Sequence, residues 1–298
     1  MLPRRQRLRK SLKHFQNLLA GSSDQSKAVF VFGDMRSGTN MLKDCFIRTR
    51  RTEVFNESDE EAFDDFMLQP LPVLNELIQR SHATHVVFKA LADSARAREL
   101  LDHFPGSVGL WIYRRYEDVV NSAVRTAHWR SPRENIRLTL EDPERARWRR
   151  LNLTEAQLAL LREHYESGLN EESARALFWH IRNDLYFSQQ LNSDERVALL
   201  NYEALVSNPG SELKRAWHHA GLQLLPEYFS HVSPKSVGRH HAPEIDETIA
   251  ELANQMIERL EKTRLQQIES EEAEAHEGRF RSRSNDRGIF RSSSPAAD

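Results

Sequence analysis

Hydrophobic and polar positions along the chain follow two alternating periods. Short apolar runs at Val29–Phe32, Glu53–Phe55, His85–Phe88, Val108–Tyr113 and Val197–Asn201 read as strands, and the stretches between them carry apolar residues at helical spacing. Strands alternating with helices predict an α/β fold, a parallel sheet flanked by helices on both faces. The alternation lapses between Ala127 and Asn170, where the chain is polar, arginine-rich and helical in its second half. Residues 127–170 are therefore read as a helical lid inserted into the domain. After Pro243 the spacing predicts one more helix, over Glu244–Lys262. From Glu269 an acidic and then Arg/Ser-rich composition predicts a disordered tail over 269–298. The main domain is expected over 28–268, with residues 1–27 as a basic lead-in whose Leu8, Leu12, Phe15, Leu18 and Leu19 form one apolar helical face.

Composition narrows the function classes. The 298 residues are 39% apolar, enough for a sizeable core, and the charged residues nearly cancel to a net charge of −2. No global field recruits nucleic acid. The N-terminal helix is read as docking on the domain; a peripheral contact of its arginines with an anionic membrane surface is the alternative. Lys13, His14, Gln16 and Asn17 interrupt what would be the apolar core of a signal peptide, and no run is long enough to span a membrane, so a cytoplasmic location is expected. The single cysteine, Cys45, reads as a buried thiol. The adjacent pairs His218–His219 and His240–His241 point in different directions and lack a partner at ligand spacing, so no metal is expected.

The chemistry concentrates in "AVFVFGDMRSGTNML", Ala28 to Leu42. A strand runs into Gly33, four residues follow, then Gly38, and a helix starts. Backbone N–H groups and the helix dipole converge there on one spot, an oxyanion site. A nucleotide kinase would continue Gly-Lys-Ser/Thr to reach the β/γ-phosphates and hold Mg²⁺. This chain continues Gly38-Thr39-Asn40, without that lysine or metal ligand. Ser37, Thr39 and Asn40 add side-chain donors, and Arg36 adds a planar cation suited to a multiply oxygenated anion.

The stretch "GDMRSGTN" resembles the 5'-phosphosulfate loop of the PAPS-dependent sulfotransferases, where PAPS is 3'-phosphoadenosine 5'-phosphosulfate. A second stretch, "YRRYEDVVNSAVR", is similar to that family's 3'-phosphate site, with Arg114 at a strand end and Ser122 eight residues on in a helix. A third, "NYEALVSNPG", resembles the family segment whose tyrosine lies near the adenine, a role that falls on Tyr202. "FWHIRNDLY" matches a helix that often carries a Trp and an Asn, here Trp179 and Asn183. "SPKSVGRHH" resembles the basic loop over the 3'-phosphate, making Arg239 and Lys235 candidates. The resemblance implies a P-loop-type parallel sheet, PAPS as co-substrate, PAP as product and no metal requirement.

It also implies a catalytic base. Members that sulfate small phenols use a histidine in a strand-end K-x-H, but "FKALADS" has Lys89 and then Leu91 in its place. Members acting on proteins and glycosaminoglycans place a glutamate just after the second strand; Glu57 holds that position, with Glu60 and Glu53 as substitutes. Lys89 is expected beside the leaving phosphate. Seven arginines between Arg130 and Arg150, interleaved with Trp129 and Trp148, read either as a grip for an anionic or sugar acceptor or as a solvated cover. The expected partner is a small-molecule or carbohydrate acceptor with a hydroxyl. Two other readings stand beside this one: a degenerate P-loop kinase or NTPase, disfavoured by the basic strand ends Lys89 and Arg114, and an inert PAP-binding protein.

Overall fold

Burial on both faces is what makes the apolar runs into a parallel sheet, since only a sheet covered twice can use them. The computed structural model describes residues 26–124, 131–166, 168–234, 238 and 242–288. Its sheet is formed by β1 (Lys27–Gly33), β2 (Thr52–Phe55), β5 (His85–Lys89), β6 (Val108–Tyr113) and β7 (Val197–Asn201), in the order β2-β5-β1-β6-β7. Every pairing is parallel. A short hairpin, β3 (Phe63–Asp64) with β4 (Met67–Leu68), lies outside it. The five runs read from the sequence are the five sheet strands.

Alternate strand residues enter separate cores. Val29, Val31, Val87, Leu110, Ile112 and Leu200 join one, completed by α1 (Thr39–Arg48), α9 (Tyr202–Ser207) and α10 (Pro209–His219), with Phe229 of α11 (Pro226–Phe229) packed against it. Phe46 of α1 and Trp217 of α10 stack there with ring centroids 4.2 Å apart. Cys45 is fully buried in this layer, and burial pushes its thiol pKa up to about 12, as a structural cysteine requires. Phe30, Phe32, Phe88, Trp111 and Tyr113 point the other way, into the larger core. That core takes side chains from α2 (Leu71–Arg80), α3 (Ala97–His103), α4 (Tyr116–Val124), the 18-residue α8 (Glu171–Ser188) and α12 (Glu247–Gly288).

Two expectations change. Residues 131–166 are helical in both halves, as α5 (Pro132–Glu141), α6 (Pro143–Ala146) and α7 (Glu155–Glu166). Ser131 and Asp142 cap α5 and α6 with a proline at each first turn. Ile136, Trp148 and Leu161 of this segment are part of the larger core, so it is bound to the sheet layer rather than standing apart from it. The disordered tail expected from Glu269 is corrected over 269–288, where α12 continues to Gly288. Its Glu/Ala-rich stretch has the helix propensity that an argument from low hydrophobicity ignores, and Glu271 pairs with Arg215 of α10 at 3.0 Å. The basic lead-in up to residue 25, and the candidates Lys235 and Arg239, lie outside the described residues.

The order of strands decides where a ligand can sit. From central β1 the chain builds one side of the sheet and then returns to build the other, so the topological switch point lies at the carboxyl end of β1.

Candidate active site

At that switch point the loop from β1 to α1 is held by features few sequences would supply. Gly33 has φ 131°, and a Cβ there would lie 2.3 Å from the Ile112 carbonyl oxygen of β6. Its amide donates to Ser94 Oγ at 3.0 Å. Asp34 is 1% exposed; its Oδ1 accepts from the Met35 amide at 2.8 Å and its Oδ2 from Arg175 Nη2 at 2.6 Å. The same Arg175 nitrogen donates to the Met35 carbonyl at 3.1 Å. Arg36 then adopts a left-handed φ of 72°. Gly38, at φ 93°, leads into α1, whose N-terminus has no side-chain cap. The first amides of α1 thus face the loop without intrahelical acceptors. Ser37 is fully buried, and its Oγ meets no acceptor or donor among the described residues.

The second anion site expected from the sequence lies one strand over. Arg114 follows β6 and is 7% exposed. Its Nη1 donates to the Arg36 carbonyl at 3.3 Å, its Nη2 lies 3.1 Å from Asp118 Oδ2, and its Nε lies 3.8 Å from Glu203 Oε1. Burial raises the Glu203 carboxyl above its ordinary pKa. Trp179 Nε1 donates to the Arg114 carbonyl at 3.1 Å, which gives that Trp a positioning task. Ser122 of α4 accepts from Arg36 Nε at 2.8 Å, so Arg36 bridges the two sites. Desolvation lowers the Arg36 pKa, with Arg114 and Arg175 adding repulsion. Tyr202 does not border the cavity below. Its ring lies against Gly38, where a Cβ would come within 2.1 Å of Cδ2, and under the Arg114 guanidinium, 4.6 Å from the ring centroid.

A cavity of about 330 Å³ opens between the loop and the ends of β2 and β5. Arg36, Thr39 and Asn40 border it from the loop side, and Glu57 and Lys89 from the opposite side. Lys89 Nζ donates to Glu57 Oε2 at 2.5 Å, with side chains only 8% and 15% exposed. Desolvation lowers the Lys89 pKa while Glu57 pulls it back up. The two substitutes for Glu57 are elsewhere: Glu53 Oε2 accepts from Ser81 Oγ at 2.6 Å, and Glu60 is exposed. Leu91, Phe66, Trp148, Arg149 and Arg182 complete the far wall. Among the described residues, no His, Cys, Asp or Glu cluster is arranged for a metal ion, and no helix is long and apolar enough to cross a membrane.

Reading by sequence missed Asp34, Arg175, Arg182 and Phe66. The signal for the two arginines was their seven-residue spacing on α8, which puts both on one face with apolar neighbours, an unusual place for charge. Phe66 sits at the hairpin tip, where it and Asp65 have φ 70° and 44°. Nothing in "FDDFML" announces that turn.

No protein-family model matches the chain. No curated protein matches it either. Among solved structures, it is similar to a sulfotransferase from Alicyclobacillus acidocaldarius at 13% identity and TM-score 0.48, covering 80% of this chain and 95% of that one. It is similar to the sulfotransferase domain of the Synechococcus PCC 7002 olefin synthase at 13% identity and TM-score 0.46, covering 79% and 97%. A mouse sulfotransferase complexed with PAP gives 14% identity and TM-score 0.41, covering 79% and 74%.

The Gly38–Tyr202 contact yields a direct test. Gly38→Ala should destabilise the fold by at least about 1–3 kcal/mol in denaturant titration, from the left-handed backbone and the clash together. Tyr202→Ala in the same chain removes the clash and leaves only the backbone cost, so the double variant should lose less than the sum of the singles. Additive losses would mean that the ring does not pack on this glycine.

Proposed function

We propose that the protein is a PAPS-dependent sulfotransferase with Glu57 as its base. The observation that carries the reading is the junction of two anion-ready strand ends, after β1 and after β6, through the Arg36–Ser122 hydrogen bond of 2.8 Å, beside a cavity bordered by a half-buried carboxylate. The donor set fits the co-substrate: uncapped amides of α1, the unmet Ser37 hydroxyl, Thr39, Asn40 and Arg36 suit a phosphosulfate, and Arg114 with Ser122 suits a further phosphate. Bound PAPS supplies an electrophilic sulfuryl group with a phosphate as its leaving group. Arg239 and Lys235 remain proposed closers of the 3'-phosphate side, and Tyr202 a neighbour of the adenine.

The residues of the chain divide the remaining tasks. Glu57 takes the acceptor's hydroxyl proton, and becomes the stronger base as Lys89 Nζ turns from its Oε2 toward the anion. Lys89 and Arg36 hold negative charge on the leaving side, where low exposure makes each contact stronger than in water. Arg114 must exchange its Asp118 contact for phosphate oxygens, so that carboxylate sets a threshold that weaker anions do not pass. The cavity walls keep water from competing with the acceptor hydroxyl. Lys89 and Arg114 at the ends of β5 and β6 stand where an NTPase would need an acidic metal ligand, which is why the kinase reading ranks second.

PAP should raise the melting temperature without added metal, and more than Mg-ATP does. At about a hundred times its dissociation constant the stabilisation is about 2.7 kcal/mol. A larger shift with Mg-ATP overturns the proposal in favour of the kinase. Arg114→Ala should weaken PAP by about 1.5–3 kcal/mol while leaving an analogue without the 3'-phosphate nearly unaffected; equal losses would move Arg114 out of that role. Glu57→Gln keeps size but cannot accept a proton, so turnover should fall about 10²- to 10⁴-fold with PAP affinity nearly unchanged. Normal turnover in that variant, with Glu60→Gln inactive, would reassign the base.

A further inference from the structure

The far half of the cavity has a chemistry that neither sulfuryl transfer nor PAPS binding uses. Arg182 rises from the middle of α8, borders the cavity and is 1% exposed. Its Nη2 donates to the Leu91 carbonyl at 2.6 Å, but its Nη1 is buried with no acceptor among the described residues. No carboxylate of the described residues forms an ion pair with it. The two nearby acids are engaged elsewhere: Asp34 with Arg175 at 2.6 Å, and Asp93 with Arg96 at 2.7 Å and the Leu68 amide at 2.8 Å.

Asp34 and Asp93 thus act on Arg182 only through space, their direct contacts being taken by Arg175 and Arg96. Arg149 also borders the cavity, and it and Arg182 both approach the Trp148 ring, at 4.4 and 5.2 Å from its centroid. The indole can hold two cations near each other but cannot neutralise them. Desolvation lowers the Arg182 pKa to about 10, so it remains charged at neutral pH. A buried cation with an unmet donor is costly unless both an acceptor and a negative charge reach it. Water meets the first need, and Asp34 and Asp93, which raise the Arg182 pKa from a distance, meet the second only in part.

The geometry points to an anion subsite in this half of the cavity: Arg182, with Arg149 beside it, receives a carboxylate, sulfonate or phosphonate-type group of a small acceptor whose hydroxyl faces Glu57. Calling that molecule an acceptor rests on the sulfotransferase reading; the anion subsite itself does not. A volume of about 330 Å³ lies at the small end of ligand sites, which favours a small molecule over a polymer. Phe66, 53% exposed at the hairpin tip, supplies the apolar wall for its body.

Calorimetric titration of the PAP-saturated protein tests this without relying on turnover. The probes are 4-hydroxybenzoate, 4-hydroxybenzenesulfonate and 4-hydroxyphenylphosphonate, each compared with the neutral 4-hydroxybenzamide. At least one anion should bind about tenfold or more tightly than the amide, as a charge-assisted contact implies, and the three arms identify which oxyanion fits. Arg182→Met should abolish the preference while amide binding and PAP affinity stay near wild type. Equal binding of all four probes by the wild-type protein overturns the subsite, as does a preference that survives Arg182→Met. Should that variant not fold, Arg182→Lys takes its place, where an undiminished preference overturns the proposal and a diminished one supports it. Should PAP not bind, the sulfotransferase reading falls, and the same titration on the protein alone still decides the subsite.

Discussion

One buried ion pair holds the site together. Asp34 and Arg175 meet at 2.6 Å with almost no exposure, and each also binds the backbone of Met35. The pair therefore does two things: it ties α8 to the end of β1, and it sets the turn from which Arg36 enters its left-handed conformation. Removing one partner would leave the other charged in a dry interior, a cost of about 3–5 kcal/mol, far above that of a surface pair. The geometry of the anion loop thus depends on a helix about 140 residues further along the chain.

Around that pair, positive charge is gathered at the strand ends with carboxylates between the cations. Arg36, Arg114, Arg175 and Arg182 converge from a loop, a strand end and one helix. Lys89 is held in waiting by Glu57. Electrostatic preorganisation of this kind gains its strength from burial, because dipoles and charges fixed before a ligand arrives need little reorganisation afterwards; only Lys89 and Arg114 trade a carboxylate for the ligand. It also explains the glycines and the strained backbone at the loop, since donors can converge this closely only where side chains are absent or turned away.

Much of this was legible in the sequence, and the physical reasons are specific. The five strands were visible because a doubly covered parallel sheet writes uninterrupted apolar runs. The loop was visible because Gly33 and Gly38 sit at positions that tolerate no Cβ, at the spacing a strand-to-helix turn imposes. Spacing alone could not separate Glu57 from Glu53 and Glu60, since three glutamates within eight residues differ only in direction; the fold turns Glu53 toward Ser81 and leaves Glu60 in solvent. Arg175 and Arg182 escaped notice because arginine on a helix is usually solvated, and only the tertiary burial of that face shows otherwise. The continuation of α12 beyond Glu269 escaped for the opposite reason: composition argued against a core, and a helix needs none when an adjacent one anchors its start.

The far edge of the sheet has a consequence for how the molecule is made. β7 would be an open edge, but Gln267 of α12 takes its place as a neighbouring strand, accepting from the Leu199 amide at 2.9 Å and donating to the Val197 carbonyl at 3.0 Å, while Arg215 donates to the Leu199 carbonyl. The same helix places Ile249, Ala253, Met256 and Leu260 in the larger core. During translation every sheet strand leaves the ribosome before the segment that covers it. Until residue 267 emerges, the nascent chain presents an apolar face and an unpaired strand edge, the template for pairing with another copy. Synthesis rate and chaperone occupancy over that interval bear directly on how much of the chain escapes pairing with its copies before the edge is covered.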